Sequence, residues 1–149
     1  MIDKSRIPKD ILPILEKRLE GRSDEIDFPP PVFDTMKGEV ISYDSETETL
    51  VNRFPVLSEY LNPYKTLQGG IIATLIDNTI GPLSLIVSPP NFTRLMEVKY
   101  GKVVTLDMGF VYVSAKFIEK KKRQLFFTAT VRNKKGDKLA SAKATHWII

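Results

Sequence analysis

Three regimes of apolar spacing divide the chain. Between Gly69 and Val87, Ile72, Leu75, Ile76, Thr79, Ile80 and Leu83 recur at steps of three and four. That spacing predicts a helix buried over much of its circumference. Asp77 and Asn78 are the only strongly polar side chains in it. Gly69 and Gly70 open the helix and permit close backbone approach where its first N–H groups point outward. Pro82 is expected to end or kink it, because it removes a donor and crowds the carbonyl of Asn78. On both sides of this run the pattern changes to strands. Thr35–Tyr43 and Thr47–Phe54 read as a hairpin about Asp44-Ser45-Glu46, and 55–67 connects it to the helix. After a Ser-Pro-Pro-Asn loop, strands are predicted near Phe92–Tyr100, Met108–Glu119, Gln124–Asn133 and Lys138–Ile148. Lys120–Arg123 and Lys134–Asp137 supply turns between the later ones.

The first 27 residues are a polar leader. Pro8–Glu20 reads as a short amphipathic helix with Ile11, Leu12, Leu15 and Leu19 on one side and Gly21 as its stop. Phe28–Val32 reads as an extended proline-rich linker. Residues 1–32 are therefore expected to form the leader and linker, and 33–149 the main domain. The order is a hairpin, one long buried helix, then an antiparallel meander. A curved sheet wrapped round a single helix buries both apolar faces. This α+β arrangement is the hotdog fold.

Composition narrows the chemistry. The chain has no cysteine, which excludes disulfides, thiolate catalysis and cysteine-based zinc sites, and no other metal-binding constellation is visible. The first 25 residues are dotted with charge and carry no apolar signal core, and Asp77, Asn78 and Pro82 interrupt the one run of membrane-span length. A cytoplasmic protein is expected. The net charge of +4 is unevenly spread. Lys116–Lys138 holds nine basic residues against Glu119 and Asp137, whereas Met1–Thr66 holds nine basic and thirteen acidic. Lys121, Lys122, Arg123 and Arg132 are candidates to attract phosphates, although lysines in strand turns also serve solubility alone. Nucleic acid is the weakest reading, since no recognition helix or aromatic platform accompanies the charge.

Asn62, then Leu67-Gln68-Gly69-Gly70, then Ala73 and Leu75-Ile76-Asp77-Asn78, resembles the signature of hotdog acyl-CoA thioesterases of the phenylacetate-degradation type, including the short mammalian acyl-CoA thioesterases. The family pattern is Asn, a short loop, His-Gly-Gly, and an acidic residue eight positions after the first glycine. The resemblance runs from about Thr35 to the C-terminus. It implies that Asp77 is the catalytic base or nucleophile, that the Gly69 N–H polarises the thioester carbonyl, and that Asn62 holds water or substrate. Thr93 aligns loosely with a hydroxyl residue that assists the water in some members. It further implies a homodimer or dimer of dimers whose active sites are shared between subunits, acting on acyl-CoA with no separate cofactor. Gln68 stands where the family has histidine, and glutamine cannot exchange a proton near neutral pH. A catalytically silent acyl-CoA binding protein is therefore the alternative.

The residues also admit plainer roles. Asp77 could fasten a subunit interface, Asn62-Pro63 could be a turn opener, the glycine pair could serve helix packing, and Thr93 could be an ordinary strand residue. The sole histidine, His146, lies in the last strand beside Trp147 and reads as packed or solvent-facing rather than catalytic.

Overall fold

The computed structural model describes all 149 residues, Met1–Ile149. A six-stranded antiparallel sheet wraps one long helix. The strands are β1 (Glu39–Asp44), β2 (Thr49–Pro55), β3 (Asn91–Tyr100), β4 (Phe110–Lys121), β5 (Gln124–Asn133) and β6 (Lys138–Ile148). The helices are α1 (Leu12–Arg18), α2 (Pro31–Thr35) and the central α3 (Gly69–Val87). Sheet order is β1-β2-β4-β5-β6-β3. Only β4, β5 and β6 form a meander. Strand β3 instead crosses to the far edge and pairs with β6, leaving its other edge open.

Period-two burial aims one face of the sheet at α3. Strand β5 alternates strictly, with Leu125, Phe127, Ala129 and Val131 buried. Strand β6 contributes Ala140, Ala142, Ala144 and His146 to the same side. Those alanines leave room for the helix. From α3 come Ile72, Leu75, Ile76, Ile80, Leu83 and Ile86. The helix is long and apolar enough to cross a membrane by length and composition, yet its apolar face lies in this core.

Pro82 does not end the helix, which continues to Val87. The reason lies on β2. A proline at position 82 leaves the Asn78 carbonyl without its helical donor. Asn52, fully buried, supplies one: its Nδ2 donates to Asn78 O at 3.3 Å and to Thr79 Oγ1 at 3.2 Å.

The N-terminal residues close one end of the barrel-like core. Ile7, Ile11, Leu15, Phe28, Phe33 and Met36 all belong to the same 28-residue cluster as the sheet and α3. Helix α1 begins at Leu12 with Pro13 in its first turn, where a missing N–H costs nothing. Arg18 at its far end donates to Ile86 O and Val87 O, the last carbonyls of α3, at 3.4 and 3.2 Å. Where an extended linker was expected, Pro31 starts the short helix α2, which lays Phe33 edge-on against Phe54 at a centroid distance of 5.5 Å. Gly38 fits between those rings; a Cβ there would lie 2.6 Å from Phe33.

Candidate active site

The loop entering α3 is tied at several points. Leu67 N–H donates to Val104 O at 2.8 Å and Gln68 N–H to Tyr60 O at 3.1 Å. Asn62 makes an Asx-type turn, its Oδ1 accepting from Tyr64 N–H and Thr66 N–H at 2.9 and 3.1 Å. Its Nδ2 donates to Thr66 Oγ1 at 2.9 Å, leaving one amide proton for anything else. Gln68 is the residue before the helix; its carbonyl accepts from Ile71 and Ile72 N–H while its side chain is exposed and bonded to nothing in the chain. The N–H groups of Gly69 and Gly70 find no acceptor within the chain. They stand at the positive end of the helix dipole, a ready place for a developing negative oxygen. Tyr100 at the end of β3 fixes this corner, donating its hydroxyl to Gly69 O at 2.8 Å. A Cβ on Gly69 would lie 3.3 Å from the Tyr100 ring, so the glycine permits this close approach.

Asp77 sits two turns further along and faces outward. The periodicity suggested burial among isoleucines and leucines, but 77 shares an open stripe with Gly70, Thr74 and Gly81. Thr93, in β3, donates its hydroxyl to Asp77 Oδ1 at 3.1 Å. On its other side the same hydroxyl oxygen lies 3.2 Å from His146 Nε2, and His146 Nδ1 lies 2.8 Å from Asn91 Oδ1. His146 is 2% exposed and packs on the Phe127 ring at 5.0 Å. Burial holds its imidazole below the ordinary value of 6.5, with the Asp77 charge pulling the other way. The expectation of a packed or solvent-facing His146 did not include this contact. Strand parity carries the signal, since 146 shares its face with Ala140, Ala142 and Ala144.

The candidates thus fall into two groups within one chain. Asn62, Gln68 and Gly69 surround the start of α3, while Asp77 and Thr93 lie about 12 Å along its axis, from eight residues at helical rise. The basic candidates also separate. Lys121, Lys122 and Arg123 line a depression of about 420 Å³ with Gln124 and Trp147, at the end of the sheet where Phe92 pairs with Trp147. Arg123 is anchored there by two bonds to Ile148 O at 3.0 and 2.8 Å, and Lys121 pairs with Glu119 at 3.1 Å. Arg132 is at the opposite end of β5, about 30 Å away by strand rise, and donates to Gly136 O at 3.1 Å. Neither Asp77 nor Gly69 lines the depression at Lys121–Gln124 and Trp147.

Solved structures superpose on this architecture. A protein of Ralstonia eutropha JMP134, described as a thioesterase related to phenylacetic acid degradation, matches with a TM-score of 0.75 at 19% identity over 91% of this chain and 99% of its own. The chain has the hotdog fold. A mutant of the phenylacetic acid degradation protein PaaI from Thermus thermophilus matches with a TM-score of 0.73 at 17% identity, over 80% of this chain and 100% of its own. A Streptococcus mutans UA159 protein bound to acetyl CoA matches with a TM-score of 0.69 at 21% identity, over 75% and 88%. No protein-family model matches the sequence, and no curated protein matches it.

Proposed function

We propose that the protein hydrolyses an acyl-CoA thioester to the free acid and CoA. The observation that carries this reading is the Asp77 carboxylate, presented outward from the central helix and held by Thr93. Thioester hydrolysis requires a base or nucleophile, a donor for the oxyanion and a slot for the acyl chain. Asp77 serves as the base or nucleophile. The unpaired Gly69 N–H serves as the oxyanion donor, a contribution of about 3–4 kcal/mol in comparable sites. Asn62 keeps one amide proton for water or substrate, and Gln68 takes a positioning part at most. The nucleotide of CoA is assigned to Lys121, Lys122 and Arg123, with Arg132 too distant to share that cluster. The scheme uses no cofactor besides the CoA carried by the substrate. One structural neighbour described as a thioesterase, and a different one bound to acetyl CoA, support the substrate class.

The gap of about 12 Å between Gly69 and Asp77 supports a site shared between two copies, since one helix cannot bring its own start to its middle. An antiparallel pair of α3 helices would set Asp77 of one copy beside Gly69 of the other. Strand β3 supports the same arrangement: its outer edge is open, and Phe92, Leu95 and Tyr100 on it are 66, 59 and 53% exposed. Such an edge invites a second strand. Residues 33–149 would then be the catalytic domain, with 1–32 covering the C-terminal end of α3.

A panel of acyl-CoA esters assayed for free thiol tests the activity, with Asp77→Ala as control. The shared site is tested by mixing Asp77→Ala with Gly69→Pro chains: hybrids should regain turnover that neither variant has alone. The exposed, unbonded Gln68 favours one second reading, a binding protein without turnover. It predicts thermal stabilisation by CoA esters that stay intact.

A further inference from the structure

The contacts around His146 fix a proton count. Both amide hydrogens of Asn91 are engaged, its Nδ2 donating to Pro89 O at 2.9 Å and Ser84 O at 3.4 Å. Its Oδ1 therefore faces the imidazole as an acceptor, and the ring nitrogen opposite it, Nδ1, must carry a hydrogen. Thr93 has a single hydroxyl hydrogen, with Asp77 Oδ1 on one side and His146 Nε2 on the other. With an ionised carboxylate and a neutral ring, that one hydrogen can satisfy only one neighbour. The other contact is then two lone pairs facing each other. One added proton removes the conflict in either of two ways. In the first, Asp77 is ionised, Thr93 donates to it, and a cationic His146 donates from Nε2 to Thr93. In the second, Asp77 is protonated and donates to Thr93, which donates to the Nε2 of a neutral ring. Every contact is satisfied in both, and they differ only by hydrogens shifting across the hydroxyl.

We propose that the proton Asp77 removes from water is shared through the Thr93 hydroxyl with His146, making His146 a positioning residue and proton store for the site. This rests on the thioesterase reading above and commits Asp77 to the general-base route. As the water oxygen bonds to the thioester carbon, its O–H bond breaks and the proton enters the chain at Asp77. The C–S bond then breaks, the departing thiolate takes that proton back from Asp77, and the chain returns to its starting state with none gained or lost. A histidine inside the sheet thus supplies the titrating group that Gln68 cannot. The groups around the ring are few. Helix α3 presents Asp77, β3 presents Thr93 and Asn91, and β5 presents Leu125 and Phe127. Only Asp77 among them is charged. Burial disfavours the cationic ring and the nearby carboxylate favours it, so the ring's state follows that of Asp77.

The test exploits the fact that His146 is the only histidine, so the protein has one imidazole resonance to titrate by NMR. Asp77→Asn should lower the midpoint by on the order of one pH unit, as for coupled groups. Thr93→Val should also move it, and Thr93→Ser should restore the native curve. Both sites are exposed, which suits them to substitution. In turnover assays, His146→Gln should lower kcat roughly tenfold, below a full acid–base contribution, leave KM unchanged and displace the acidic limb of the pH–kcat profile. A midpoint indifferent to Asp77→Asn and Thr93→Val would overturn the shared proton. So would a His146→Gln profile that matches the native one. The two readings fail separately. A chain that hydrolyses no CoA ester but whose His146 reports Asp77 overturns the thioesterase and, with it, the catalytic use of the proton, while the Asp77–Thr93–His146 coupling stands. An active chain whose His146 ignores Asp77 upholds the thioesterase and overturns the shared proton.

Discussion

Asn52→Leu removes the donor that lets α3 run through Pro82, and its consequence can be worked out from the contacts. The substitution strands the part-buried Asn78 carbonyl, a loss toward the lower end of the about 1–3 kcal/mol that a buried group costs when left without a partner. It also removes the Asn52 Oδ1, which is itself buried and unpaired, and that relief offsets part of the loss. The Thr79 hydroxyl is less affected, because it keeps its own bond to Leu75 O at 3.0 Å. A net destabilisation of about 1–2 kcal/mol is expected, but its cause is ambiguous in a single variant. Pro82→Ala resolves it by returning an N–H that can reach the Asn78 carbonyl. In that background Asn52→Leu should cost less, with a coupling of about 1 kcal/mol. Urea midpoints at fixed protein concentration, with unchanged m, give the four stabilities of the cycle. Equal losses in both backgrounds, within about 0.3 kcal/mol, would refute the claim that Asn52 compensates for the proline.

Other outcomes follow from the geometry. Lys122→Glu with Arg123→Glu should weaken CoA binding and flatten its salt dependence, whereas Arg132→Glu at the far end of β5 should leave affinity unchanged in calorimetry. Arg18→Ala should lower the urea midpoint by an amount equivalent to about 0.5–1.5 kcal/mol, through loss of its bonds to the last carbonyls of α3. The depressed His146 pKa makes stability depend on pH. Below 6.5 the unfolded chain binds a proton that the folded chain resists, so the contribution is complete above 6.5 and is lost as pH falls through the lower folded value. His146→Gln should flatten that part of the stability–pH curve, and an unchanged curve would contradict the burial argument.

The scaffold was readable because its signals are local. β-Branched and aromatic runs mark β4 and β5, and steps of three and four give α3. The Gly69 to Asp77 spacing marks the two ends of the candidate site. What escaped depends on partners distant in sequence. Asn52 meets the Asn78 carbonyl that Pro82 orphans only after β2 lies across α3, so Pro82 read as an end or a kink of the helix. Strand β3 follows α3 in the chain but pairs with β6, a crossover that no residue of β3 announces. Asp77 seemed buried because Gly70, Ala73 and Gly81 are counted as apolar, although small residues equally make an open stripe. His146 is 53 positions from Thr93, and only the β3–β6 register makes them neighbours. The short helix at Pro31–Thr35 was masked by three consecutive prolines, of which the last begins the helix.

Turnover of the best CoA ester by native and Asp77→Asn chains, with CoA affinity measured on the same samples, tests the account most directly. The account predicts that the variant binds CoA as the native chain does while kcat falls by roughly 100-fold or more, the scale of a lost general base. Equal turnover by the two chains, or none by either, would contradict it.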